Sequence, residues 1–353
     1  MNKSAQMKKT GSAIVVGVGH VGKKHALKLS KLFKKLYIID PNETALNWCR
    51  QNIDSDIMLF RNLNDLDFGT IQNIHKSVAV ISNWGVDHYD AFFKIVNHNI
   101  DKIYMEKPFS HSLKKIDEIS KFVEANNVKL VSGYQLRHSG LAEKIKNACI
   151  NYLGGNPVLV TVGGGANCIV TNGIHFLDLA CSIFDQEPDK VFSKLGNDNI
   201  NPRGNHLGFW DGFVSFGFNK HRLDISMSNK SSMGLTCSVY SKNGYLTILN
   251  KGNKVQIDVF ERDKQEIQND PRIIRTGEGF KLNHSINQTH DFTEFFENMI
   301  LSLFDDDTKC NIQRETVATR GMLSALISSE SDNLLELPLN LKNKYFEKEW
   351  QVS

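Results

Sequence analysis

Ala13-Ile14-Val15-Val16-Gly17-Val18-Gly19-His20-Val21-Gly22, continued at 36–40 by Leu-Tyr-Ile-Ile-Asp, is the stretch that decides the fold. Ala13 to Val16 is a short apolar run bounded by glycine, which reads as a buried parallel strand. An amphipathic stretch from His25 to Phe33 follows the glycines, and a second apolar run, Leu36 to Ile39, ends in Asp40. Strand, glycine-rich turn, helix, strand and acid stand in the order that a dinucleotide-binding βαβ unit requires. Gly17 permits the tight turn, and Gly22 lets the helix pack close to the strand. Gly19, with His20 and Val21 after it, brings free N–H groups of the helix N-terminus toward a pyrophosphate. Asp40 is placed to accept hydrogen bonds from a ribose diol. Its charge repels a 2′-phosphate, so NAD(H) is expected over NADP(H). Glycines also serve ordinary turns, but here the flanking elements and the terminal acid all agree.

Outward from this unit the alternation continues. Pro41-Asn42 opens a helix to about Gln51, Met58 to Phe60 is a third strand, and Leu63 to Phe68 is a short helical or irregular link. Ser77 to Ile81 is a buried strand ending in Ser82-Asn83-Trp84-Gly85, with a helix from His88. Lys102 to Met105 ends in Glu106-Lys107-Pro108, Ser112 caps a further helix, and Val128 to Val131 is the last strand. Strands alternating with helices give a doubly wound parallel sheet, whose ligands bind beyond the carboxyl ends of the strands. The residues to watch are therefore Asp40, Ser82 to Trp84, Glu106-Lys107 and Tyr134-Gln135. Lys107 has two readings: an acid–base lysine, held by a proline after it, or a surface lysine at a strand end.

The pattern then changes. Gly140 to Leu153 is an amphipathic helix, Val158 to Val162 a strand before a Gly163-Gly164-Gly165 loop, and Gly173 to Phe184 a helix carrying His175 and Asp178. From Leu207 the sequence alternates as a meander, with a hairpin at Lys242-Asn243-Gly244. Helices are expected at 289–304 and 314–329, with Asp305-Asp306-Asp307 an exposed loop between them. The fold class is thus α/β: an N-terminal Rossmann sheet, residues 12–134, followed by an α+β domain with an open, mostly antiparallel sheet, residues 135–345. Residues 1–11 read as a flexible tail. His175 and Asp178 are either a buried hydrogen-bonded pair or part of a site.

The 353 residues carry 42 Lys and Arg against 39 Asp and Glu, with lysines spread along the chain. That dispersal, without aromatic and basic interleaving, argues against a nucleic-acid partner. No apolar run approaches a membrane span, and no secretory segment follows Met1. The six cysteines show neither a CxxC pair nor zinc spacing. His284, in a loop, and His290, at a helix start, lack a third ligand, so no metal is expected. Together these features predict a cytoplasmic protein with reduced thiols.

The ordered set of motifs resembles the glucose–fructose oxidoreductase/inositol dehydrogenase (Gfo/Idh/MocA) family. It comprises the Gly17/Gly19/Gly22 turn, the 78–83 strand end with His88, Glu106-Lys107-Pro108, Gly133-Tyr134-Gln135-Leu136-Arg137, and Gly173-Ile174-His175-Phe176-Leu177-Asp178. The resemblance implies hydride transfer between NAD(H) and a hydroxyl or keto carbon of a sugar, cyclitol or sugar nucleotide. It implies Lys107 and His175 as catalytic residues, with Glu106 near the nicotinamide ribose. By the same likeness Gly17, Gly19, His20, Val21, Gly22, Asp40, Ser82, Asn83, Trp84, His88, Glu106, Lys107 and Gln135 bind the cofactor. Lys107, Arg137, Thr171, Asn172 and His175 bind the substrate, and the open sheet joins a homodimer or homotetramer.

The chain departs from the family pattern twice. Asn83-Trp84 stands where the family has Thr-Pro, and Thr171 stands where D-x-G-x-H has its aspartate. Threonine cannot take up a proton as a carboxylate does. Two further readings therefore accompany the dehydrogenase: a non-catalytic NAD-binding regulator or subunit, and a glycoside hydrolase that cycles its NAD.

Overall fold

The computed structural model describes residues 11–165, 167–197, 201–202, 204, 206–251, 254–262, 280–289, 292–305, 310–340 and 342–352. The described residues divide into two compact units: 1–135 with 292–320 and 344–353, and 136–291 with 321–343.

The first unit follows the predicted alternation through β1 (Ser12–Val16), α1 (His20–Leu32), β2 (Lys35–Ile39), α2 (Glu43–Asn52) and β3 (Asp56–Phe60). It continues through β4 (Val78–Ile81), α3 (His88–Val96), β5 (Lys102–Met105), α4 (Leu113–Asn126) and β6 (Lys129–Ser132). The six strands are parallel in the order β3-β2-β1-β4-β5-β6. This is the Rossmann order, and its direction reverses between β1 and β4, where ligands bind at the carboxyl ends. Every residue of β1 and β4 is buried, which is why both read as unbroken apolar runs. Asn42 caps α2, its side-chain oxygen accepting the N–H groups of Thr44 and Ala45 at 2.9 and 3.4 Å. Ser112 occupies the N-cap position of α4, but its side chain makes no capping hydrogen bond. Gly11, assigned to the flexible tail, is buried. A Cβ there would lie 2.2 Å from the Lys76 carbonyl oxygen, so the chain is already packed at this residue.

Two late segments pack with this unit, although the sequence assigned the first, and the second as far as residue 345, to the second domain. One is α8 (Phe292–Ser302). Its Phe296, Met299 and Ile300, with Leu303 just beyond, share a core cluster with Ala26, Leu29 and Leu32 of α1 and with Phe33. The other runs from residue 344: the Trp350 N–H donates to the His111 carbonyl at 2.9 Å, and the Phe346 carbonyl accepts the Lys114 N–H at 3.1 Å.

A short helix, α5 (Gln135–His138), leads into the second unit. Its elements are α6 (Leu141–Leu153), β7 (Leu159–Gly165), α7 (Ile169–Phe184), β8 (Lys190–Gly196), β9 (Asp211–Phe218) and β10 (His221–Ser228). They continue as β11 (Thr236–Ser241), β12 (Gly244–Lys251), β13 (Lys254–Arg262), β14 (Phe280–Thr289) and β15 (Leu335–Glu336), with the second half of α9 (Ile312–Ser331). The nine strands run in the order β14-β13-β12-β11-β7-β10-β9-β8-β15, antiparallel except for the β7–β10 pair. α6 lies against β11, β12 and β13, and α7 against β9 and β10. Val160, Val162, Phe216, Leu223, Ile225 and Val239 are all buried. The expected hairpin joins β11 to β12, with Ser241 paired to Gly244.

Four expectations are corrected here. Gly163 to Gly165 are not a loop but the end of β7. A Cβ at Gly165 would meet the Ser231 carbonyl oxygen at 2.0 Å, and one at Gly164 the Gly234 carbonyl oxygen at 2.8 Å. These glycines therefore admit the protein's own 231–234 backbone. α7 starts at Ile169, not at Gly173, so Thr171 and Asn172 are helical. The helix expected from residue 289 starts at Phe292, because Thr289 ends β14. His284, expected in a loop, lies on β14 with its ring 4.0 Å from that of Tyr152. His290, Asp306 and Asp307 lie outside the described residues.

Candidate active site

In the first unit the three glycines of the turn do different work. Gly17 has φ +87°, which an L side chain rarely adopts, and a Cβ there would lie 2.4 Å from the Asn83 nitrogen. At Gly22 a Cβ would fall 2.0 Å from the Gly17 carbonyl oxygen, so α1 can close on the turn only with glycine there. Gly19 differs: no atom lies within 4 Å of its would-be Cβ, and as N-cap of α1 it receives no side-chain capping bond. The turn is thus tight on the protein side and open over the helix N-terminus, where His20 and Val21 begin the first turn.

The strands beside it hold this turn. Ser82 donates its hydroxyl to the Gly17 carbonyl at 2.7 Å. The Asp40 carboxylate accepts the Val18 N–H at 2.7 Å through one oxygen and the Asn42 N–H at 2.8 Å through the other. Each oxygen keeps a lone pair, so the same carboxylate can still accept from a diol. Asn83 contributes a buried side-chain oxygen with no hydrogen-bond partner, a vacancy that a hydroxyl or amide donor would fill. An open glycine over a helix N-terminus, an anchored acid and an orphaned acceptor fit a dinucleotide. His88 lies deeper: it is fully buried and donates Nε2–H to the Asn83 carbonyl at 3.1 Å, and burial pushes its pKa down to about 4. Trp84 is 44 % exposed.

At the carboxyl ends of β5 and β6 a second group assembles. The peptide bond Lys107–Pro108 is cis, Lys107 is half-buried, and Pro108 packs where a side chain on Gly85 would be, its Cγ 2.8 Å from that position. Thr319 of α9 accepts the Phe109 N–H at 2.9 Å and lies 2.8 Å from the Tyr134 hydroxyl, tying the turn to the helix. The Glu106 carboxylate turns into the protein. Oε1 is 2.8 Å from His25 Nε2 and accepts the Tyr104 hydroxyl at 2.9 Å; Oε2 accepts the Lys107 N–H at 3.3 Å. Burial by itself would raise this carboxyl, but His25, with Lys107 and Tyr104, outweighs it and brings the pKa down to about 2. Gln135 hydrogen-bonds Tyr104, whose own pKa is raised by burial and then by Glu106.

In the second unit Asp178, fully buried, accepts two bonds from Arg137: Nε at 3.2 Å and Nη2 at 2.5 Å from the same Oδ1. A buried carboxylate requires such a partner, and this one joins α5 to α7. Thr171 is 6 % exposed, one helical turn before the half-buried His175 on the same face of α7. The Asn172 amide donates back to the Cys168 carbonyl at 3.2 Å.

Sequence reasoning did not single out His25, Tyr104 or Thr319. For His25 a signal existed, a polar residue on the apolar face that Gly22, Ala26 and Leu29 define. For Thr319 none existed, because the contact spans 210 positions of chain. Among the described residues no group of His, Cys, Asp and Glu could hold a metal ion, and no helix is long and apolar enough to cross a membrane.

Residues 12–134 match the family described as "Oxidoreductase family, NAD-binding Rossmann fold" (GFO_IDH_MocA). No curated protein matches the sequence. Among solved structures, scyllo-inositol dehydrogenase from Lactobacillus casei, with bound NAD(H) and scyllo-inositol, superposes with TM-score 0.62 at 14 % identity, covering 93 % of this chain and 99 % of that one. Myo-inositol 2-dehydrogenase from Lactobacillus plantarum gives 0.64 at 15 %, covering 92 % and 98 %. An oxidoreductase from Agrobacterium radiobacter in complex with NAD+, L-tartaric acid and magnesium gives 0.67 at 13 %, covering 92 % and 98 %. At such identities the likeness is one of fold.

Proposed function

We propose, from the match of residues 12–134 to the NAD-binding Rossmann fold of the Gfo/Idh/MocA oxidoreductase family, that the chain is an NAD-dependent dehydrogenase of polyols or sugars. The observation that carries this reading is Lys107, half-buried at the carboxyl end of β5, with its backbone N–H bonded to a buried, ionised Glu106. An ammonium held there orients a substrate hydroxyl and carries its proton, the work of a general acid–base group. NAD(H), held by the Gly17–Gly22 turn and Asp40, supplies the hydride acceptor or donor. Asn83 receives a cofactor donor on its orphaned oxygen, while Ser82 and His88 shape the turn from within. Trp84 and Gln135 border the same strand ends. In the second unit His175 is a second proton-carrying group, and Thr171 and Asn172 contribute to substrate recognition. Arg137 acts through Asp178.

Inositols and related cyclitols lead the candidate substrates, because two of the structures similar to this chain are inositol dehydrogenases. The sheet of the second unit supports self-association: Phe213 and Tyr240, on the side opposite Val214 and Val239, are 42 % and 37 % exposed. A homodimer or homotetramer in the cytoplasm completes the reading. The test is formation of NADH across polyols, aldoses, amino sugars and nucleotide sugars; tight NAD binding with no substrate oxidised overturns it.

The cofactor preference is tested separately. Asp40 is anchored by two backbone N–H groups, so it cannot swing away from a 2′-phosphate. NAD(H) is expected to raise the melting temperature more than NADP(H), and Asp40→Ala to narrow the gap. A wild type that prefers NADP(H) contradicts the assignment.

A further inference from the structure

His25 stands on the buried face of α1, 3 % exposed, where the helical pattern calls for an apolar residue. Its ring is stacked on Phe296 of α8 at 4.0 Å and meets Tyr104 of β5 edge-on at 5.1 Å. Nε2 is 2.8 Å from Glu106 Oε1, the oxygen that also accepts the Tyr104 hydroxyl. The other oxygen, Oε2, fills the space that a side chain at Gly133 would take, 2.8 Å from the would-be Cβ, and accepts the Lys107 N–H. His25 and Tyr104 at one oxygen and Gly133 and the Lys107 N–H at the other enclose the carboxylate, and the Phe296 ring of α8 backs His25 and Tyr104. A carboxylate so buried stays ionised and in one orientation only while its partners hold it.

We propose that His25 is a positioning residue, which through Glu106 fixes the direction in which Lys107 leaves β5, with Tyr104 sharing the task. The proposal rests on Lys107 being the proton-carrying group. The charged and titratable groups that bear on Glu106 are His25 from α1, Tyr104 from β5, Lys107 beyond its end, and His88 from α3, while α8 sets the Phe296 ring against His25 and Tyr104. Without His25 the carboxylate keeps Tyr104 and one peptide N–H. It then gains by taking a proton or by rotating, and either change moves the Glu106–Lys107 peptide.

The test compares His25→Leu with His25→Gln, whose amide places a donor near the Nε2 position, and repeats both in a Glu106→Gln background. Two readouts are taken on protein shown to be folded by circular dichroism: acylation of Lys107 by acetic anhydride, with exposed Lys114 as internal reference, and kcat with the KM for NAD. His25→Leu is expected to change Lys107 labelling relative to Lys114 by about threefold or more, and to lower kcat by roughly 10- to 100-fold with little change in KM. His25→Gln recovers most of both, and neither variant adds a further effect once Glu106 is Gln. Unchanged Lys107 labelling in folded His25→Leu overturns the proposal, as does independent multiplication of the His25 and Glu106 effects. If His25→Leu does not fold, His25→Asn, whose amide is too short to reach the carboxylate, and Glu106→Gln, alone and together, give the same cycle. Labelling that responds in a protein that oxidises no substrate sustains the positioning and removes the dehydrogenase reading. Dehydrogenase activity with unresponsive labelling does the reverse.

Discussion

Lys107→Ala is expected to lower turnover by roughly 10²- to 10⁴-fold, the usual contribution of a positioned acid–base group, while leaving the affinity for NAD largely intact. The separation follows from where the two tasks sit. In the proposed function, pyrophosphate and ribose fall to the turn that Gly17, Gly22, Ser82 and Asp40 hold together, none of which uses the lysine. Lys107→Arg sharpens the experiment, because arginine keeps the positive charge but does not release a proton near neutral pH. A loss equal to that of the alanine variant assigns proton transfer to Lys107, whereas recovery in the arginine variant assigns charge alone. Turnover that is unchanged in both returns Lys107 to a surface lysine at a strand end.

The second large effect is one of stability against pH. His88 is fully buried, and burial holds its folded-state pKa down to about 4 from an ordinary 6.5. The unfolded chain binds that proton as pH falls through 6.5 and the folded protein does not. The stability is therefore fully present above pH 6.5 and is lost progressively toward the folded value. At about 1.4 kcal/mol per pH unit, the fall from pH 6.5 to 5 costs roughly 2 kcal/mol. Glu106, held down to about 2 from 4.5, adds a loss of the same sign only below its unfolded value, so above pH 5 the loss falls to His88 and to His111, whose pKa burial also lowers. Urea unfolding at pH 7 and 5 is expected to show a clearly larger loss in the wild type than in His88→Gln, which keeps His111 and whose amide can still donate to the Asn83 carbonyl. An equal loss in both proteins contradicts the burial argument.

The sequence made the first sheet legible because β1 and β4 are buried throughout and β2, β5 and β6 at every residue but the first, so Ala13 to Asp40 carries the whole βαβ logic. The same stretch pointed to Gly17, Gly19, Gly22 and Asp40, though not to the second task of Asp40, the anchoring of Val18 and Asn42. β14 escaped notice because an edge strand exposes both sides: Lys281 to Ser285 are all exposed and show no alternation. β8 escaped because its buried face carries Ser193, which is satisfied by Ala325 and Ser328 far along the chain. The bond from Arg137 to Asp178 was illegible for a related reason: spacing along one helix points only to His175, whereas a fully buried carboxylate also draws the strongest donor that tertiary structure offers. The packing of Phe296 under His25 links residues far apart in the chain and left no local mark.

The central claim is hydride transfer to NAD. Its most direct measurement is an isotope transfer, in which the protein is incubated with NAD+ and a panel of polyols and aldoses deuterated at their carbinol carbons, and the reduced nicotinamide is analysed by mass spectrometry. The account predicts NADH carrying one deuterium from at least one member of the panel, and no such product from Lys107→Ala. Reduced cofactor without deuterium, or bound NAD+ left unreduced across the whole panel, would contradict it.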